Sequence, residues 1–242
     1  MFAATYLAAA AIHVAVTKLA VGERAASFKA VSPGMLPPMG LLFALIVGFL
    51  AAQVWSDAGQ AEAAVNHEAS ALRSVVLLSH EFPGEPEARL RELVRSHIQT
   101  AVDDEWPAMS HQEATLSVIP VQLASALQLA IRLSPQRPGQ VEAQRQLIQS
   151  LQSALDARRQ RVIVSESSLN WLKWSGVILV ALLTLVAIAF VHCDNRLTNG
   201  LAVGLFATAV AVSLMLIAAQ ERPFGGQFAV EPDALVQVMP AP

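Results

Sequence analysis

Pro38-Met-Gly-Leu-Leu-Phe-Ala-Leu-Ile-Val-Gly-Phe-Leu-Ala-Ala-Gln-Val-Trp55 is apolar enough to sit in lipid. Ser56-Asp-Ala-Gly-Gln-Ala-Glu-Ala-Ala-Val-Asn-His-Glu-Ala-Ser-Ala-Leu-Arg-Ser-Val-Val-Leu-Leu78 follows it with neither a proline nor a turn cluster. The second run is polar but keeps a helical period: Ala58, Ala61, Val65, Leu72, Val75 and Ser79 recur in threes and fours, and Glu68 falls on the same stripe. One helix over 38–80 accounts for both runs. At about 1.5 Å per residue it is roughly 60 Å long, about twice the apolar thickness of a bilayer. Its first half crosses a membrane and its second half stands in water. Pro37 and Pro38 suit its first turn, where a missing N–H costs nothing. Trp55 stands where an interfacial aromatic belongs.

The totals agree with that reading. Hydrophobic residues make up 54% of the 242 and charged residues only 14%, below the soluble average of about a quarter. The chain is therefore an integral membrane protein, with the lipid bilayer as its first partner. The net charge of −3 gives no reason to expect nucleic acid. The single cysteine, Cys193, cannot form an internal disulfide or a cysteine-based zinc site.

Residues 2–21 are long enough to span. A signal peptide would need a basic segment ahead of the apolar run. No Lys or Arg precedes it and Lys18 follows it, so the stretch reads as a first membrane helix. His13 lies deep in that run, where an ionisable side chain is either bonded to a neighbouring helix or functional. Residues 22–36 form a loop. Residues 56–170 contain no run long enough to span and form a helical insert. Phe82-Pro-Gly-Glu-Pro86 is a turn. A helix follows over 87–105, with Leu90, Leu93, Val94, His97, Ile98 and Ala101 on one face, and ends in Asp103-Asp-Glu-Trp-Pro107. A third insert helix covers 111–133, with a bend at Pro120. Ser134-Pro-Gln-Arg-Pro-Gly139 breaks the chain again. A fourth helix starts near Gln140, with Val141, Ile148, Leu151, Leu155 and Val162 in helical period and Arg158 on the stripe. It runs without a visible break into a third span, so 140–192 reads as a second long helix, half wet and half in lipid. The fourth span covers 200–219, and a tail follows from 221.

The expected fold is thus an all-α membrane protein with four transmembrane helices, the second and third extending into a helical bundle. Its parts are membrane helices over 1–55 and 171–220, the bundle over 56–170, and a tail over 221–242. Four spans put both termini and the insert on one side. Near the membrane ends that side carries Arg73, Arg158, Arg159, Arg161, Lys173 and Arg222, against Lys18, Arg24, Lys29 and Arg196 on the other. The positive-inside rule then places the termini and the insert in the cytoplasm.

Signatures of catalysis are missing. The histidines form no His-x-x-x-His pair, no Gly-x-Ser-x-Gly elbow occurs, and no glycine-rich loop follows a strand. An enzyme, a metal site and a cofactor are not expected. Three groups of residues remain. Met39, Phe43, Ile46, Val47 and Leu50 share one face of the second span. That face either packs on other helices or lipid, or forms an apolar constriction around an axis of several copies. Glu68, Glu105, Arg158, Arg159 and Arg161 put carboxylates and guanidinium groups on or beside apolar stripes. Buried, they must pair, so Glu68 or Glu105 is expected to meet an arginine of 158–161. Arg222-Pro223-Phe224-Gly225-Gly226 makes a tight turn after the fourth span. Arg222 there either pairs with an insert carboxylate or lies at the lipid surface.

Those elements together resemble the bestrophin-like family of bacterial membrane proteins of unknown function. They are the second span, Glu68 in Asn-His-Glu-Ala-Ser-Ala-Leu, Glu105-Trp106-Pro107, Arg158-Arg159-Gln-Arg161, and Arg222-Pro223-Phe224-Gly-Gly226. The resemblance covers nearly the whole chain. That family is distantly similar to the bestrophins, homopentameric chloride channels whose second membrane helix lines the pore with an apolar neck. It implies a homo-oligomer, a pentamer first, in a bacterial inner membrane, passing inorganic ions along a path between copies of the second span. Carried over by motif, the neck falls near Phe43, Ile46, Val47 and Leu50. The second span is not rich in phenylalanine at those positions, and no acidic stretch matches the calcium cluster of animal bestrophins. The rival expectation is a non-conducting membrane-anchored scaffold or sensor whose insert binds a partner.

Overall fold

The computed structural model describes residues 1–21, 27–28, 33–226 and 228–241. Arg24 and Lys29, counted above for orientation, and most of the expected 22–36 loop lie outside the described residues. The described residues form α-helices and no strand. In chain order these are α1 (Phe2–Leu19), α2 (Leu36–Ser79), α3 (Glu85–Thr100), α4 (Trp106–Ser110), α5 (Val121–Arg132), α6 (Pro138–Ser165), α7 (Trp171–Val191), α8 (Arg196–Ala219) and α9 (Asp233–Gln237). Among them α1, α2, α7 and α8 are long and apolar enough to cross a membrane.

The long helix is present as one element. A short 3₁₀ turn over Pro33–Met35 leads into α2, and Pro37 and Pro38 fall in its first turn. It stops where Ser79 Oγ donates to the Val76 carbonyl and Phe82 N–H returns to the Ser79 carbonyl. Gly84, at φ +97°, then supplies a backbone conformation that other residues rarely adopt.

Three boundaries differ from the sequence expectation. The helix after that turn does not end at Glu105. Residues Ala101–Glu105 form a π turn, and α4 continues through Trp106 and Pro107 to Ser110. Pro107 has no N–H to return to the carbonyl of Asp103, and the wider turn ahead of it takes the ring without ending the helix. The helix expected over 111–133 is confined to α5. Gln112 takes φ +61°, Ser117 N–H bonds locally to Thr115 Oγ1, and Pro120 disfavours helix at the residue before it. The second long helix is in fact two, α6 and α7, separated at 166–170. Ser165 and Ser167 hydroxyls donate to the Val162 and Val164 carbonyls, both at 2.7 Å, and close α6. Asn170 then caps α7, its side-chain oxygen accepting from Leu172 N–H at 3.2 Å. Among the described residues, then, the second span runs on unbroken past its apolar half, and the third does not.

The chain divides into two compact units. One comprises Met1–Trp55 and Leu169–Glu221, the other Ser56–Ser168 and Arg222–Pro242. Helix α2 contributes to both, changing unit at Trp55.

In the membrane unit, α1 runs antiparallel to α8. Tyr6 pairs with Thr208 at 2.7 Å, and His13 with Asn199 at 2.7 Å. Asn199 also donates to the Ala189 carbonyl at 2.7 Å, so the deep polar groups of α1, α7 and α8 satisfy one another. At one end of this unit Lys173 donates to Gln53, and both Leu169 N–H and the Trp174 indole donate to Glu221. Gln53 of α2, the start of α7 and the segment just after α8 are thereby tied to one another in two pairs.

The second unit is a helical bundle. Its core is built from the outer half of α2 (Ala61, Val65, Leu72, Val75), α3 (Leu90, Val94, Ile98), α5 (Leu123, Ala126) and α6 (Leu147, Leu151). The tail joins the same core through Phe224 and through Leu235 of α9.

Candidate functional site

Five helical segments of the bundle carry one polar side chain each, or two, into that apolar core. Glu68 sits on the buried stripe of α2, one turn before Leu72 and one turn after Ala64 and Val65, and is 0% exposed. His97 takes the equivalent place on α3, between Val94 and Ile98. Arg158 and Arg161 lie three residues apart on the buried face of α6. Glu105 closes the π turn, and Trp106 and Met109 project from α4. Near 100° per residue, 158 and 161 share a face and 159 does not.

Arg161 is the centre. Its Nε donates to Glu68 Oε2 at 2.8 Å, and its Nη2 donates to Glu68 Oε1 at 3.3 Å and to Glu105 Oε2 at 2.7 Å. Its Nη1 faces the Met109 sulfur at 3.5 Å. The guanidinium carbon stands 4.8 Å from the centre of the Trp106 ring, a cation–π contact away from water. His97 Nε2 donates to Glu68 Oε1 at 2.8 Å. Arg158 holds the other Glu105 oxygen, with Nε at 2.7 Å and Nη2 at 2.6 Å, and reaches the Val118 carbonyl at 3.3 Å. The Trp106 indole N–H donates to the Val230 carbonyl at 3.0 Å, and its ring meets Phe224 edge-on at 5.6 Å. The cluster therefore joins α2, α3, α4, α6, the 111–120 segment and the tail.

The pairing expected of Glu68 and Glu105 is thus made, with both on Arg161. Arg159 is the correction: it is exposed on α6 and outside the cluster. Arg222 is exposed as well. Its neighbours Pro223 and Phe224 are buried, and Gly226 supplies a φ of +92° for the turn. A Cβ on Gly225 would stand 3.2 Å from the Ser110 carbonyl, so the turn lies close against the end of α4. The members missing from the sequence reading are His97, Met109 and the Val118 carbonyl. His97 left a signal, a histidine on an apolar stripe, of the same kind as Glu68.

Electrostatically the cluster is closed. Burial by itself pushes the Glu68 carboxyl up. The Arg161 charge and the His97 and Arg161 hydrogen bonds outweigh it and hold the group at about 2. Burial also opposes ionisation of Glu105, and Arg161 and Arg158 pull that carboxyl below its ordinary range. Burial lowers Arg161, but the two carboxylates raise it overall. Both acids stay ionised near neutral pH. A cation bridging Glu68 and Glu105 would need the place that Arg161 fills. Among the described residues no group of three or more His, Cys, Asp or Glu could hold a metal ion.

The second candidate is the face of α2 in the membrane unit. Phe43 and Leu50 are 7% and 6% exposed, packed in one cluster with Val177 and Ala181 of α7 and Val210 and Leu214 of α8. Phe43 also meets Phe206 at 5.4 Å. Met39, Ile46 and Val47 are half-buried. Phe43 and Leu50 thus pack between spans of one chain. The opposite face of α2 is open: Leu41, Leu45 and Phe49 are exposed, Phe49 at 73%, and nothing lies within 4 Å of a Cβ placed on Gly48.

An all-α protein with four candidate spans, one of them running unbroken into a charge-locked helical bundle, is by class a multi-span membrane protein. A family model described as the Bestrophin-like domain matches residues 3–235, and the chain belongs to the bestrophin-like family. No curated protein and no solved structure matches the chain.

Proposed function

We propose that the protein is an ion channel assembled from several copies of this chain, with the pentamer as the first arrangement to test. Its path for small inorganic ions runs between copies of α2. We place it in a bacterial inner membrane on the family resemblance, and its termini and helical bundle in the cytoplasm on the count of basic residues.

The observation that carries this reading, beside the family, is one stripe on α2. Leu45, Phe49, Ala52, Ser56, Gly59, Ala63, His67 and Ser70 are all exposed and spaced three or four apart, and no Asp, Glu, Lys or Arg is among them. A helix that leaves water-exposed positions mostly small and free of those four residues on one side is suited to meet copies of itself around an axis. Within the apolar layer the stripe is Leu45 and Phe49, the type of side chain that makes a hydrophobic constriction. This moves the constriction from Phe43 and Leu50 to the other face of the same helix. The charge cluster fits as a mechanical part. It fixes the outer half of α2 within the bundle at Glu68.

Cysteine substitution tests the arrangement. In a Cys193→Ser background, Phe49→Cys is expected to cross-link between copies on oxidation in membranes, and Phe43→Cys is expected not to. Cross-linking at Phe43 with none at Phe49 would reverse the face assignment. Cross-linking at neither position, in a protein that sediments as a monomer, would remove the channel and leave the scaffold reading.

A further inference from the structure

Spans α1, α7 and α8 do not close completely on one another. Between the first two turns of α1 and the first half of α7 they leave a crevice of about 250 Å³. The gap has a cause in the sequence: Ala4 and Ala8 of α1 face Ile178, Ala181 and Leu182 of α7, and the alanines leave the space unfilled. Its floor includes Leu214 of α8. The lining side chains are hydrocarbon apart from the Thr5 hydroxyl, which is engaged with the Met1 carbonyl, and the Trp174 indole; the Met1 α-amino group lies at the exposed end. Trp174 bounds one end, its indole held by the hydrogen bond to Glu221. Exposed Met1 and Ile178 mark the side on which the crevice opens outward.

We propose that this crevice binds one acyl chain of a bilayer phospholipid, laid between α1 and α7. Beyond the Met1 α-amino group at its exposed end, the crevice has no free polar side chain to offer water. Apolar cavities of about 150 Å³ stay dry and take up ligands of benzene size, and this space is larger. All three of its walls are helices apolar enough to cross a membrane, so the medium at its mouth is lipid hydrocarbon. Trp174 sits at the start of α7, where an interfacial aromatic meets the upper part of a lipid chain. The inference rests on the membrane placement of these spans and not on conduction, so it stands or falls apart from the channel.

The test uses the full chain in phosphatidylcholine vesicles containing a trace of phosphatidylcholine with a photoactivatable diazirine in its acyl chain. After irradiation, the labelled positions are mapped by mass spectrometry. Labelling on α1 near Ala4 and Ala8 and on α7 near Ile178 and Leu182 is expected to exceed, several-fold, that at Leu201 and Leu205, exposed positions on α8. Ala4→Leu and Ala8→Leu fill the space. Each is expected to bring the crevice label down to the Leu205 level while leaving the Leu205 label and the helical circular dichroism unchanged. Equal labelling of crevice and Leu205 in the unaltered protein means ordinary surrounding lipid and overturns the proposal. A cross-link between two copies through Ala4→Cys would overturn it too, by showing that a second copy fills the space.

Discussion

Replacing Glu68 by Gln keeps the shape of the side chain and removes its charge. In the structure Glu68 accepts from Arg161 Nε and Nη2 and from His97 Nε2, all three donors. The Gln amide offers one acceptor and one N–H₂ group, so at least one donor faces another donor. Arg161 is left with Glu105 alone, which Arg158 already holds. Breaking a buried pair by removing one partner costs about 3–5 kcal/mol, because the remaining charge stays buried. Hydrogen–deuterium exchange of the full protein in detergent reads this directly. Peptides over 90–110 and 155–165 are expected to exchange roughly 10²–10³ times faster through opening of the bundle, at about 1.4 kcal/mol per factor of ten. Peptides from α1 and α8 are expected to keep their protection. Arg159→Ala, one residue from the cluster's face and exposed, is the control and is expected to change stability by less than about 0.5 kcal/mol. If Glu68→Gln and Arg159→Ala proved equally mild, the view of the cluster as the lock of the bundle would be wrong.

Acid should act through the same carboxylates. Glu68 is lowered from an ordinary 4.5 to about 2, and Glu105 is lowered too, so the unfolded bundle binds protons first as pH falls. Their stabilisation is full above about pH 4.5 and is lost on the way down to about 2; Glu68 alone accounts for roughly 3 kcal/mol. Protection factors, the exchange rates corrected for the intrinsic rate at each pH, should fall across that window, and unchanged protection would contradict the assignment. Phe43→Ala removes the ring packed on Phe206 and is expected to cost about 3 kcal/mol in the membrane unit, read as a lower thermal midpoint in detergent. Phe49→Ala is expected to leave that midpoint nearly unchanged and to alter conductance instead. Asn199→Ala strips partners from both His13 and the Ala189 carbonyl. About 1 kcal/mol is expected, again in the thermal midpoint, given the modest worth of such bonds in membranes.

Much of this was legible beforehand because period and charge are local signals. Helix α2 was visible since nothing between Pro38 and Leu78 interrupts its period. The cluster was visible since Glu68 and Arg158 occupy places where an unpaired charge would be intolerable. Arg159 is next to Arg158 in sequence but not in space; one residue is a rotation of about 100°, enough to turn it into solvent. The break between α6 and α7 has no proline or glycine. It depends on Ser165, Ser167 and Asn170 taking backbone groups with their side chains, a choice these residues leave open in sequence. The π turn is a packing solution around Pro107 and leaves no compositional mark. In the second span both faces are apolar, and no pattern tells which one meets the rest of the chain. Only the contacts of Phe43 and Leu50 with α7 and α8 decide it.

The central claim is that copies of α2 surround an ion path. Recording from purified protein in a planar bilayer tests it most directly. The account predicts discrete single-channel currents whose amplitude or open probability changes when Leu45 or Phe49 is made smaller, and does not change for Arg159→Ala. Silence at every voltage and in every salt tried, from protein shown to be folded and inserted, would contradict it.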